Sequence, residues 1–131
     1  MKTYVGTKTV KAEPMLLGEY IKSYRRNPYS KSDLFHSSEE EGYLVVYPDG
    51  YKSWSPKLVF EEAYKLADTF KDRLLIEKKE LEERTNKLDD FINSSEFPSK
   101  VPDGRQRGLL AQQQIAMHNY LDALNDRINS L

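Results

Sequence analysis

The sequence has no cysteine. That removes disulfides, thiolate metal ligands and a cysteine nucleophile together. Histidine is nearly absent too: His36 and His118 are the only two, and neither sits in an HExxH-like spacing, so three or four convergent metal ligands are not offered. There is no glycine-rich phosphate loop of the Walker or Rossmann type. No apolar run approaches the roughly 18 residues of a membrane span, and no signal peptide is visible. Neither sign of charge dominates. The net charge is −1, with ten basic and nine acidic residues in 1–65 and ten and twelve in 66–131. This balance argues against bulk electrostatic binding to nucleic acid.

What is present is a modest apolar content, 38%, beside 31% charged residues in 131 positions. The core of a monomer would be thin, so self-association is expected. The pattern predicts an α+β chain in two parts, a small module over 1–65 with a β-hairpin and a helical hairpin over 66–131. Thr3 to Ala12 reads as an edge strand with Gly6 as a bend, ended by Pro14. Leu16 to Arg26 has helical spacing and stops at Asn27-Pro28. Tyr43–Tyr47 and Tyr51–Trp54 are strands joined by a reversal at Pro48-Asp49-Gly50. Ser55-Pro56 reads as an N-cap and first helical position.

The second half carries heptads. Leu74, Leu81 and Leu88 recur at seven, and Glu77, Arg84 and Phe91, three further on, are expected to face the same way. A charge in such a seam must be paired, solvated or used on a ligand. After a connector with Pro98, Pro102 and Asp103-Gly104, Leu110, Met117, Leu124 and Leu131 repeat at seven, with Gln114, Leu121 and Ile128 as the neighbouring row. The two helices predict an antiparallel hairpin. Leu75, Ile76, Leu109, Ile115 and Tyr120 lie off both seams and ask for a further partner, a second copy of the chain.

Five constellations have more than one reading. His118 is a surface residue or pairs with Asp122 one turn on. Glu80 with Arg84, and Glu83 with Lys87, are ordinary i,i+4 supports, which makes a catalytic carboxylate pair the weaker reading. Arg84 is either salt-bridged to Glu80 or Glu77, or snorkelling, or a ligand contact. Arg105 and Arg107, in Asp103-Gly104-Arg105-Gln106-Arg107-Gly108, are solvated beside a turn or hold a phosphate at a helix start. Phe91, Ile92 and Phe97 pack the bend or offer a platform to a base. Lys22, Arg25, Arg26 and Lys31 form a basic cluster too short to be diagnostic.

The run Gly42-Tyr43-Leu44-Val45-Val46-Tyr47-Pro48-Asp49-Gly50-Tyr51-Lys52-Ser53-Trp54-Ser55-Pro56 resembles a module of small phage and prophage proteins. The opening Tyr4-Val5-Gly6-Thr7-Lys8, then Ala12-Glu13-Pro14-Met15, is similar to the start of the same proteins. Arg73-Leu74, Glu77, Glu80-Leu81, Arg84, Lys87-Leu88, Phe91-Ile92 and Phe97, then Leu110, Gln113, Met117, Tyr120, Leu124 and Arg127-Ile128, resemble a helical hairpin related to crAss-like phage proteins. The layout is similar to the Thoeris anti-defence sponge family, whose members oligomerise and bind cyclic ADP-ribose-type or cyclic-nucleotide immune signals without cleaving them. The resemblance implies a non-enzymatic protein of the host cytoplasm that needs no cofactor and has a small nucleotide signal as partner. It gives Phe91 the role of base-stacking aromatic and Arg84 that of phosphate contact. The family's arginines inside the last helix are replaced here by Gln114, His118 and Asp122.

The resulting expectation is a homo-oligomer whose ligand site, shared between protomers, is lined by Arg84, Phe91, Arg105 and Arg107, with no catalytic or metal site. The alternative is a phage adaptor that inhibits a host protein through the hairpin or the tyrosine-rich sheet.

Overall fold

The computed structural model describes residues 1–25 and 37–131. His36, Arg26 and Lys31 lie outside them. The elements run β1 (Lys11–Pro14), α1 (Leu17–Tyr24), β2 (Gly42–Val46), β3 (Lys52–Pro56), α2 (Lys57–Ala63), α3 (Phe70–Ile92), α4 (Phe97–Lys100) and α5 (Gly104–Asn129). The architecture is α+β, and the chain divides into two units, Met1–Lys65 and Leu66–Leu131.

In the first unit the antiparallel sheet has the order β1-β2-β3. Asp49 Oδ1 accepts from Tyr51 N–H at 3.0 Å and Gly50 takes φ 89°, so the reversal forms as its sequence dictates. Leu17, Tyr20, Leu44 and Val45 are buried. Trp54 Nε1 donates to the Met15 carbonyl at 2.8 Å, and Tyr43 stacks on Phe60 with centroids 4.2 Å apart. Two expectations change. The first strand is confined to Lys11–Pro14, because β2 offers partners only from Val46 to Tyr43 and the chain then turns back. Pro14 is its last residue rather than its stop. Ser55 does not cap a helix: it pairs with Tyr43 in the ladder, and Pro56 is the residue before α2, with no side-chain cap.

In the second unit, Thr69 begins α3 with a capping box. Its side chain accepts from Asp72 N–H and the Asp72 carboxylate accepts from Thr69 N–H, each at 3.0 Å. This double bond between side chains and backbone separates α3 from α2. Asp103 caps α5 by accepting from Arg105 N–H at 2.9 Å. The connector contains the single turn α4, which the sequence reading treats as loop.

The seam corrects the heptad expectation. Leu74, Leu81, Thr85 and Leu124 are buried, with Met117, Leu121 and Ile128 packed against the cluster. At the middle of the seam the position four residues on from Leu81, Thr85, is the one that turns inward, while Glu77 and Lys78, and likewise Phe91 and Ile92, are all half-buried. Arg84 is exposed. Both spacings are helical neighbours; the one that buries a hydroxyl, which can bond its own helix, prevails over the one that buries a guanidinium. Thr85 Oγ1 donates to the Leu81 carbonyl at 2.7 Å, so nothing polar is stranded there.

Leu124 is fully buried between the helices. Leu124→Ala should cost the helical unit about 2–5 kcal/mol, read by urea unfolding followed by circular dichroism. A Cβ at Gly42 would collide with the Ser55 carbonyl and the Trp54 ring. Gly42→Ala should lower the unfolding midpoint of the first unit, reported by the fluorescence of Trp54, the only tryptophan.

Candidate ligand-binding site on the helical hairpin

The hairpin is held across its length by one polar cluster that sequence spacing did not show. Gln114 Nε2 donates to Asp89 Oδ1 at 2.6 Å. His118 Nε2 lies 3.0 Å from both Asp89 oxygens. His118 therefore pairs across the hairpin with Asp89, not along its own helix with Asp122. The signal that could have found it is Gln114 itself, an amide in an otherwise apolar row, which needs a polar partner from the facing helix. These bonds pull the Asp89 carboxyl below the usual carboxylate range, the Gln114 bond first and the His118 bond second.

The contacts also fix the register: Asp89 of α3 stands opposite residues 114–118 of α5. Against that register each expected site residue can be placed. Phe91 is half-buried at the end of α3, and its ring takes the edge of Phe97 with centroids 5.3 Å apart, so it packs the bend. Arg107 is half-buried as well. Its guanidinium donates to the carbonyls of Val101 and Pro102 at 2.9 and 2.8 Å, which ties the connector to the start of α5. Arg105 and Arg84 are exposed, and neither makes a side-chain hydrogen bond or ion pair among the described residues. The pairs Glu80–Arg84 and Glu83–Lys87 are not formed as ion pairs.

Arg84 lies five residues before Asp89, and Arg105 about eleven before the midpoint of 114–118. At 1.5 Å per residue the two are separated by about 24 Å along the hairpin axis. Arg105 is about 13 Å beyond Phe91 by the same count. One hairpin thus presents a free cation at mid-length and another at its connector end, with Phe91 between. It does not gather them into one patch.

A cavity of about 330 Å³ lies in the first unit, with Met15 and Leu16 as apolar lining and Glu19, Glu41, Glu61 and Lys57 as its charges. Three carboxylates against one ammonium give it the wrong sign for an anion. Tyr43 Oη donates to Glu61 at 2.8 Å, and Lys57 sits 3.6 Å from Glu41. Among the described residues no group of three or more His, Asp or Glu is placed to hold a metal ion, and no helix is long and apolar enough to cross a membrane.

Residues 68–130 match the family model of Sequestin. The matched span starts two residues before α3 and ends one residue after α5, so the similarity falls on the hairpin and does not reach the 42–56 module. It is a similarity to a family named for sequestration. No curated protein and no solved structure matches the chain.

The Asp89 cluster sets a pH dependence whose sign follows from its depressed carboxyl. The stabilisation is in place above the unfolded value of about 3.9 and is lost as pH falls through the lower folded value. Asp89→Asn should flatten part of the acid limb of the helical unit's urea midpoint between about pH 5 and 2, the remainder belonging to Asp72, whose carboxyl is also lowered by its hydrogen bonds with Thr69. Gln114→Ala should flatten it in part, since it removes the largest contribution. An acid limb unchanged in both variants would show that the cluster does not couple to folding.

Proposed function

We propose that this chain is a phage-encoded, non-enzymatic anti-defence protein that assembles through its helical hairpin and sequesters a nucleotide-type immune signal, of the cyclic ADP-ribose or cyclic oligonucleotide class. The observation that carries the reading is the match to a sequestering family over the hairpin, the same element that holds the free cations. Assembly is supported by the apolar side chains the hairpin leaves in water: Leu75, Leu109, Ile115 and Tyr120 are 42%, 45%, 63% and 44% exposed. These side chains cover no seam, and burying them against a second copy is the ordinary way to remove them from water.

The ligand site of this reading is composite. Arg84, Phe91, Arg105 and Arg107 take part in different ways. Arg84 and Arg105 are phosphate contacts. Arg107 positions the connector that carries Arg105. Phe91 presents whatever ring face Phe97 leaves open. Because the backbones at Arg84 and Arg105 are about 24 Å apart along one hairpin, a ligand the size of a cyclic dinucleotide touches both most readily where the Arg105 end of one copy meets the Arg84 stretch of another. Sequestration without turnover then requires only charge-assisted hydrogen bonds and exclusion of water at the junction.

The reading is tested by mass spectrometry of nucleotides released on heating protein purified from defence-active cells, followed by calorimetry with cyclic ADP-ribose isomers and cyclic di- and trinucleotides. Arg84→Ala, a surface change, should cost about 1.5–3 kcal/mol of binding, roughly 10- to 150-fold in Kd, with the fold intact. Ile115→Asp should lower both the assembly mass in light scattering and the affinity. If the wild type binds none of these nucleotides, the protein is better read as an inhibitor of a host protein.

A further inference from the structure

Residues 1–9 are exposed throughout and belong to no hydrogen-bonded element, although their composition suits a strand. Tyr4 and Val5 are each 86% exposed. They lead directly into β1, which forms one edge of the sheet and pairs on one side only, with β2. That pairing starts at Lys11 opposite Val46, and the partner chain reverses at Tyr47–Tyr51, where the Tyr47 N–H donates to the Tyr51 carbonyl. The arm therefore overhangs the described sheet, and Lys8 Nζ lies 5.9 Å from the centre of the Tyr47 ring. The opposite edge of the sheet is partly used, since the Lys52 carbonyl of β3 accepts from Tyr20 Oη. Among the described residues, the open edge is that of the arm and β1.

We propose that this edge is a second self-association surface: residues 1–13 of two copies pair antiparallel about a two-fold axis at Thr7, joining two three-stranded sheets into one. A two-fold axis between antiparallel strands sets a residue opposite its own copy, which limits the choice of centre. Centring on Val5 sets Lys2 against Lys8, and centring on Lys8 sets lysine against lysine; like charges directly opposite are unfavourable. Centring on Thr7 opposes no like charges. It sets Tyr4 of one copy against Val10 of the other, Val5 against Thr9, and Thr7 against Thr7, which are aromatic, β-branched and hydroxyl pairs of the kind that stabilise ladders. Centring on Gly6 also avoids like charges but leaves Ala12 and Glu13 unpaired. The second copy is the occupant because the edge is complementary to itself in this register, and because pairing gives partners to a row of backbone groups that otherwise face water.

The native chain has no cysteine, so any disulfide reports contact between copies. Full-length Thr7→Cys should form a covalent dimer under mild oxidation, whereas Asp49→Cys, on the exposed reversal of the same unit, should not. Tyr4→Pro removes a ladder donor: Met15 N–H donates into β2 at Gly42, so by alternation the even residues of the arm face the open edge, and Tyr4 is 86% exposed. This substitution should lower the mass in light scattering about twofold relative to wild type with an unchanged circular dichroism spectrum. Equal cross-linking at the two positions, or an unchanged mass for Tyr4→Pro, overturns the proposal. Ile115→Asp separates this surface from the hairpin. If that variant keeps the wild-type mass while Thr7→Cys still cross-links, assembly through the hairpin fails and pairing through the arm stands.

Discussion

The packing of Leu74, Leu81 and Thr85 against Leu124 is the contact on which the hairpin depends. It decides which row of α3 turns inward, and every other side chain of that helix is placed as a consequence. Burying Thr85 is inexpensive because its hydroxyl bonds the carbonyl one turn back at 2.7 Å, whereas a guanidinium in the same position would need a carboxylate or water. The rotation that brings Thr85 inside puts Arg84 outside. A cation that would have been a structural cost becomes a free surface group.

The cluster of Asp89, Gln114 and His118 complements this packing. Apolar seams with a seven-residue repeat are tolerant of sliding by a heptad, since one leucine resembles the next. A carboxylate that accepts from two side chains of the facing helix is not tolerant in that way. The cluster therefore sets the register, and the register sets the distance between Arg84 and Arg105. The helix–helix alignment that stabilises the hairpin thus places these two cations about 24 Å apart along its axis.

The first unit works under a different constraint, the length of β2. With five residues it can pair only a short stretch of the chain before it, and the β-prone residues 1–9 fall beyond its end. Local propensity and available partners disagree there, and partners prevail, because a strand without a ladder has no bonds to hold it. The cavity beside Glu19, Glu41 and Glu61, with one lysine against three carboxylates, belongs to this unit.

Much of the architecture was legible in the residues. Pro48-Asp49-Gly50 dictated a reversal, the heptads of Leu74 and Leu110 dictated two long helices, and the proline-rich connector dictated their antiparallel return, because each of these rests on local backbone chemistry or on helical period. The α+β class follows from them. Three things lay beyond local rules. A spacing of three and a spacing of four are equally helical, so only packing against α5 could choose Thr85 over Arg84. The partner of His118 lies 29 residues away, and no periodicity within one helix points across a hairpin. Arg107 reads from sequence as a solvated cation or a phosphate contact, and only the fold brings the connector carbonyls of Val101 and Pro102 to it. Sequence fixes which elements form; which faces meet, and so which charges remain free, is settled only when two elements compete to bury the same surface.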